Sequence, residues 1–331
     1  MAERVHILNQ YAWPDDSPPA IYAAQVAEAV NKRGFDAVLV AGTGSYRAAR
    51  RPKPRVPIVH VQHHVGVRGD LASTLKEYES VRRAFERYVR DNVQPGDLVV
   101  ATSAPPTTPW LLRSIRARRA KAIYWLQDFY PELVRGVVDY PAPARRLASL
   151  AFRRALEGWD RVVKIGENLG YHAPNAVVIR NWNTLDLGAP RPFVPKTALY
   201  SGNLGYGHDL RLFVEGCRTL LDAGYSLTIR ADGPGKARLP GWIPTSPLLT
   251  DADELIRSYW EAEVHLVAGD PRIEHAIFPS KVWNAIVAGR RLVATGFGPV
   301  MRRELEASLA SDPRTHLGSF VRLIEEVAGG R

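Results

Sequence analysis

Sulfur is scarce in these 331 residues: one cysteine, Cys217, and two methionines. A single thiol excludes an internal disulfide and leaves a cysteine-based zinc or iron–sulfur centre short of ligands. Long apolar runs are also missing, and none approaches the roughly 18 residues that a membrane span needs. The opening MAERVHILNQ carries charge early and has no apolar core ahead of a small-residue cleavage site, so no secretory leader is expected. These absences predict a soluble or peripheral, cytoplasmic protein. There is no low-complexity tract and no short tandem repeat. His60, His63 and His64 are not accompanied by a carboxylate pattern, so no metal site is expected. Nucleic acid is not expected as a partner, because neither a helix-turn-helix signal nor an aromatic-interleaved RNA motif is present.

What is there is an ordinary globular composition, 46% hydrophobic and 24% charged, in a chain long enough for about two domains. The formal net charge of +10 is unevenly placed. Residues 1–185 hold 27 Lys and Arg against 17 Asp and Glu, whereas residues 186–331 hold 17 of each. The entire excess therefore sits in the first half, which implies an anionic partner there: a lipid surface, a phosphate-bearing substrate or another polyanion. Three basic clusters stand out, RAARRPKPR at 47–55, RSIRARRAK at 113–121 and RRLASLAFRR at 145–154. The last places Leu147, Leu150 and Ala151 on one side and Arg146 and Arg153 on another. That pattern suits either an amphipathic helix on anionic lipid or a core-facing helix with a solvated cationic face.

Short apolar runs alternate with helical patterns along the whole chain. Runs at 5–8, 37–40, 58–61, 98–101, 122–126, 162–165 and 177–179 read as strands, with helices expected at 20–33 and 75–90 and in the later intervals. NWNTLDLGAPRPFVP at 181–195 has three prolines and no periodicity, and reads as an interdomain linker. The alternation restarts with strands at 197–200, 226–230, 264–267 and 291–295 and helices up to 222, at 251–260 and at 280–288. The expectation is α/β: two doubly wound, Rossmann-like domains, 1–185 and 186–331, facing a cleft. Ligands of such sheets bind beyond the carboxyl ends of the strands.

Three segments carry candidate chemistry. Ser201-Gly202-Asn203-Leu204-Gly205 follows a strand and precedes a helix, where glycines let backbone approach a ligand and free amides favour an anion; a plain glycine-rich turn reads the same way. Phe278-Pro279-Ser280-Lys281 opens a helix with Ser280 as its expected N-cap. A lysine at that end opposes the helix dipole unless an anion lies between them. In Trp125-Leu126-Gln127-Asp128-Phe129-Tyr130-Pro131-Glu132 a strand ends at Asp128, which suits a carboxylate accepting or orienting a hydroxyl proton, or a helix cap. Asp232-Gly233-Pro234-Gly235 is a strong turn signal. Cys217 reads as a buried structural thiol.

Five stretches, in order, resemble the GT-B glycosyltransferases, especially family 4 and its bacterial polysaccharide branch with fucosamine-transferase-like members. They are NQYAWPDDSPPAIYAAQVAEAVNKRGFDAVLVAG, WLQDFYPE, VIRNWNTLD, ALYSGNLG and VHLVAGDPRIEHAIFPSKVWNAIVAGRRLVATG, and together they span nearly the whole chain. The resemblance implies a GT-B fold with an acceptor-side first domain and a donor-binding second domain. It implies a hexosyltransferase-type, metal-independent enzyme of polysaccharide or glycoconjugate synthesis that moves a sugar from a nucleotide diphosphate sugar to a hydroxyl. No cofactor is implied, since the nucleotide sugar is a substrate. Ser201, Gly202, Asn203, Gly205, Ser280 and Lys281 would hold the diphosphate and Asp128 would act on the acceptor. Asp232, Gly233, Glu274 and Asn284 would approach the nucleotide or donor sugar, and Ser17 and Tyr130 the acceptor. A lipid-linked or otherwise anionic acceptor and a peripheral contact with an anionic membrane are the expected partners.

The chain departs from this family where two glutamates separated by seven residues are usual: those places hold Ala276 and Asn284, with Glu274 out of step. Two rival readings follow. One is a non-catalytic nucleotide-sugar-binding or assembly protein, the other a GT-B-fold nucleotide-sugar epimerase.

Overall fold

The computed structural model describes residues 4–15, 17–42, 52–67, 70–134, 141–205 and 207–329. Its strands form two separate sheets. The first joins β1 (Arg4–Asn9), β2 (Asp36–Gly42), β3 (Ile58–Val61), β4 (Leu98–Thr102), β5 (Lys121–Leu126), β6 (Arg161–Lys164) and β7 (Ala176–Val178) in the order β3-β2-β1-β4-β5-β6-β7. The second joins β8 (Val194–Asn203), β9 (Ser226–Asp232), β10 (Thr245–Ser246), β11 (Ala262–Ala268) and β12 (Arg291–Thr295) in the order β10-β9-β8-β11-β12. Every pairing is parallel. Fully buried runs such as LVVAT in β4 are what a sheet covered on both faces requires. The strand order reverses between β1 and β4 and between β8 and β11, which marks the two crevices where ligands enter.

Local chemistry sets the helices. The side chain of Ser17 caps α1 (Pro18–Asn31), and Pro18 and Pro19 supply a preset φ in its first turn. The side chain of Asp70 caps α2 (Leu71–Asn92), four residues ahead of the expected start. After a 3₁₀ turn (Thr108–Leu111) come α3 (Leu112–Ala117), α4 (Tyr130–Leu133) and α5 (Ala142–Glu157). Right-handed crossovers put α1 on one face of the first sheet and α2, α3 and α5 on the other. The second sheet carries α6 (Leu210–Asp222), α7 (Ala252–Glu261), α8 (Lys281–Val287) and α9 (Pro299–Leu309).

The last helix, α10 (His316–Gly329), returns to the first sheet and lies beside α1. Phe320 meets Trp125 with ring centroids 4.6 Å apart, and Lys121 Nζ donates to the Ala328 carbonyl at 2.6 Å. The segment expected as a linker is irregular in backbone but tightly packed. Trp182 stacks on Trp125 at 5.8 Å and donates to Gln25 Oε1 at 2.9 Å, and Leu185 and Leu187 are buried with Tyr259 and Trp260. Proline and glycine signalled the loss of regular structure there, while Trp182, Leu185 and Leu187 strap the segment down.

Candidate active site

Lys281 is the centre of the second-sheet half. Gly202, in the last turn of strand β8, has φ +151°, and a Cβ at that position would collide with Lys281 Cε and lie 2.6 Å from its Nζ. The lysine side chain therefore runs directly across glycine backbone. Its Nζ donates to the Tyr200 hydroxyl at 3.3 Å and sits 4.8 Å from the centre of that ring. Burial pushes the ammonium down to about 8, and no described carboxylate pairs with it. His208 stands close by, accepting from the Gly205 amide at 3.1 Å. Burial, reinforced by the charge of Lys281, pushes its imidazole down to about 4, so it is neutral at pH 7.

Ser280 occupies the position before α8, but its hydroxyl makes no capping bond, contrary to the sequence expectation. Capping needs an extended backbone that swings Oγ toward the first amides. Ser280 is instead helical, at φ −62° and ψ −22°, which leaves that hydroxyl available beside Lys281. Ser201, Gly202 and Asn203 belong to the strand itself, and Gly202 and Asn203 stand opposite Ala231 and Asp232. The loops after β8 and β9 are tied together: the Leu204 amide donates to the Asp232 carbonyl and the Gly235 amide to the Leu204 carbonyl, both at 2.8 Å. Gly233 is required there, since its φ is +88° and a Cβ would strike the Asn203 side chain. The exposed Asp232 accepts from the Gly233 amide at 2.8 Å.

Two residues expected near the donor are occupied elsewhere. Glu274 Oε2 accepts from the amides of Val300 at 2.9 Å and Met301 at 3.2 Å, and so caps α9. Asn284 is buried; its Oδ1 accepts from the Thr184 amide at 2.9 Å and the Leu185 amide at 3.3 Å, and its Nδ2 donates to Thr184 Oγ1 at 3.2 Å. These bonds hold the strap and commit both acceptor sites of the Asn284 oxygen and one of its two N–H donors to it. Ser17 caps α1, its buried Oγ accepting from the Ala20 amide at 3.4 Å.

On the first-sheet side Asp128 stands two residues beyond β5. The amides of Gln127 and Asp128 both donate to Ser103 Oγ, at 3.2 and 3.0 Å. No described residue hydrogen-bonds the Asp128 carboxylate, and burial pushes it up to about 6. It is not a helix cap: Phe129 holds that position before α4, without a side-chain capping bond. Tyr78 and Tyr130 are near neighbours, their phenols raised by burial and then by carboxylate charge, including that of Asp128.

Hydrogen bonds bring the two halves together. The Phe129 amide, adjacent to Asp128, donates to the Ala276 carbonyl at 2.7 Å, and the Gly170 amide donates to the His275 carbonyl at 2.9 Å. Asn168 Nδ2 donates to the carbonyls of Glu274 at 2.7 Å and Ile277 at 2.8 Å. Buried Glu304 of α9 receives the Glu167 amide at 2.9 Å and Arg180 Nε at 2.7 Å. Asp128 is thereby fastened to the segment that leads into Ser280 and Lys281. Tyr200, His208 and Asn168 were missed by sequence reasoning. The first two flank the glycine run, which was the available signal; Asn168 had none. His60 Nδ1 donates to the Gly42 carbonyl at 3.1 Å, and no described group of His, Cys, Asp or Glu is arranged to hold a metal.

No family model matches the chain. A curated relative, the putative colanic acid biosynthesis glycosyl transferase WcaI of Escherichia coli strain K12, is 26% identical over 208 residues, 53% of this chain. The chain thus matches about half, 51%, of that relative's length. Among solved structures, sucrose-phosphate synthase from Thermosynechococcus elongatus aligns with a TM-score of 0.60 and 14% identity over 99% of this chain and 94% of that one. WaaG, a glycosyltransferase involved in lipopolysaccharide biosynthesis, aligns with a TM-score of 0.59 and 13% identity over 97% and 99%. The catalytic domain of starch synthase IV from Arabidopsis thaliana, bound to ADP and acarbose, aligns with a TM-score of 0.58 and 11% identity over 99% and 95%. Two parallel sheets meeting across a strapped cleft, in the arrangement of these enzymes, make this a GT-B fold, and the chain resembles the bacterial glycosyltransferases of that fold.

Proposed function

We propose that the protein transfers a hexosyl group from a nucleotide diphosphate sugar to a hydroxyl acceptor in bacterial polysaccharide or glycoconjugate synthesis. The acceptor oxygen bonds to the anomeric carbon, the bond from that carbon to the diphosphate breaks, and the hydroxyl proton passes to Asp128. Lys281, the Ser280 hydroxyl and the backbone around Gly202 meet the negative charge that grows on the leaving diphosphate. A preorganised cation in a desolvated site stabilises such charge strongly, so the reading assigns no metal. The domains divide near 185, with the acceptor on the first and the donor on the second. One observation carries the reading: a half-buried lysine that pairs with no described carboxylate lies across Gly202, and the peptide next to Asp128 is bonded to the segment leading into that lysine. ADP in the aligned starch synthase supports a nucleotide ligand for the same fold. The basic first half suits an acceptor that is lipid-linked or otherwise anionic.

The test is turnover of a panel of nucleotide sugars with and without membrane lipid extract, in the presence of chelator. Acceptor-dependent release of nucleoside diphosphate, unaffected by chelator, is the expected result. Equal turnover without acceptor would indicate an epimerase or hydrolase, and binding without turnover a sugar-nucleotide-binding protein.

A further inference from the structure

Among the described residues Arg230 of β9 is a cation with neither a hydrogen-bond nor an ion-pair partner. The strand alternates: Ile229 and Ala231 are each 1% exposed and join Phe213 and Cys217 in the core beneath α6, so Arg230 and Asp232 face the other way. Arg230 is half-buried on that face, and its Nε is sealed from solvent with nothing to accept its hydrogen. A guanidinium carries five N–H donors and keeps its charge, and a buried donor left unmatched is costly. The side chains beside it are neutral. Ser201 of β8 and Ser246 of β10 stand opposite Arg230 in the parallel register, one strand to each side, and both are half-buried.

Position adds a second observation. Two directions lead away from Gly202, where Lys281 and the glycine backbone are read as the diphosphate site. Toward β12 the space is filled: a Cβ on Gly269, just past β11, would lie 3.0 Å from the Phe297 ring and 3.1 Å from Met301 Sδ, and Glu274 caps α9 there. Toward β10 it is open, since every residue from Pro244 to Asp251 is exposed or half-buried. Strand β10 is two strand spacings, about 10 Å, from β8, a distance that the nucleoside of a bound diphosphate spans. Its base then meets the carboxyl end of β9, where Arg230 and Asp232 share a face two residues apart. Asp232 is exposed, its Oδ1 is fixed by the Gly233 amide at 2.8 Å, and it forms no ion pair with Arg230.

We propose that Arg230 and Asp232 read the base, and that the donor nucleotide is a guanosine diphosphate. The arginine fork donates to O6 and N7 of guanine, the acceptor pair that it matches bidentately. The Asp232 carboxylate accepts from N1–H and the 2-amino group. Adenine turns an amino group toward the fork in place of O6, and uracil offers one carbonyl there and no N7. The flanking serines leave the guanidinium uncompensated until the base arrives. The proposal rests on the transferase reading only for the place of the diphosphate.

Calorimetry of the full chain with GDP, IDP, ADP and UDP tests it. GDP should bind about tenfold or more tightly than ADP and UDP, within the range of one bidentate base contact. IDP, which lacks the 2-amino group, should fall between them. Arg230→Lys keeps the charge and loses the fork: GDP should drop to the level of ADP and UDP, whose binding stays nearly unchanged. Asp232→Asn keeps an oxygen for the Gly233 amide and should erase the preference for GDP over IDP. A parent that binds ADP or UDP as tightly as GDP overturns the proposal. So does equal weakening of all four diphosphates in Arg230→Lys, which would make Arg230 a phosphate contact. Should Arg230→Lys fold poorly, the parent panel and the variant at exposed Asp232 decide alone. The two readings fail separately: a guanine preference without acceptor-dependent turnover sinks the transferase reading alone, whereas turnover of UDP- or ADP-sugars in preference to GDP-sugars sinks the base assignment alone.

Discussion

Replacing Asp128 with asparagine should make the protein more stable at neutral pH while slowing its reaction. The carboxyl rises from 3.8 to about 6 because the charged form is poorly solvated beneath the cleft. The folded protein therefore binds the proton more tightly than the unfolded chain does, and stability is lost as pH rises from about 4 through about 6. Two pK units at 1.36 kcal/mol each set an upper bound of about 3 kcal/mol, and the partial exposure of Asp128 brings it nearer 1–2 kcal/mol. Asparagine removes the charge at constant shape. Urea denaturation of both proteins should give equal stabilities near pH 4 and an advantage for the variant that grows to its full size by pH 7. Turnover of the variant should fall with little change in donor affinity, because the proton acceptor is gone and the diphosphate contacts are not. A variant less stable at pH 7, or a stability difference that does not change with pH, would refute the reasoning and restore a structural role for the carboxylate.

Lys281→Ala should weaken nucleoside diphosphate binding by about 1.5–3 kcal/mol while leaving nucleoside binding nearly unchanged by calorimetry. In the parent, kcat/KM should trace a bell, rising as Asp128 ionises near pH 6 and falling as Lys281 loses its proton near pH 8. Gly202→Ala should weaken diphosphate binding about as much as Lys281→Ala does, since its Cβ needs the space that the end of the Lys281 side chain fills. Asn284→Ala should cost about 2 kcal/mol or more in urea denaturation, because it strands the buried amides of Thr184 and Leu185.

Periodicity and turn residues were enough to place eleven of the twelve described strands, each a short apolar run; β10, only Thr245–Ser246, carries no apolar residue and left no such signal. Position within the site was partly legible. The serine–lysine pair at 280–281 and Asp128 lie where strand ends and helix starts put them. The state of each polar group was not, because it depends on partners distant in sequence. Ser280 fails as a cap through its ψ angle, which its identity does not determine. Glu274 and Asn284 look like ligand-facing residues, yet buried polar groups need partners, and their partners lie at 300–301 and 184–185. In α5 the spacing identified the apolar stripe, while only the packing of Phe152 and Leu156 revealed that the stripe faces outward.

The bonds from Phe129 to Ala276 and from Gly170 to His275 run from main chain to main chain. They are therefore indifferent to which side chains stand at those four positions. The bonds therefore survive any substitution that the packing around buried Phe129 and Ala276 can accommodate. Proline is the exception, since at 129 or 170 it removes the donated hydrogen itself.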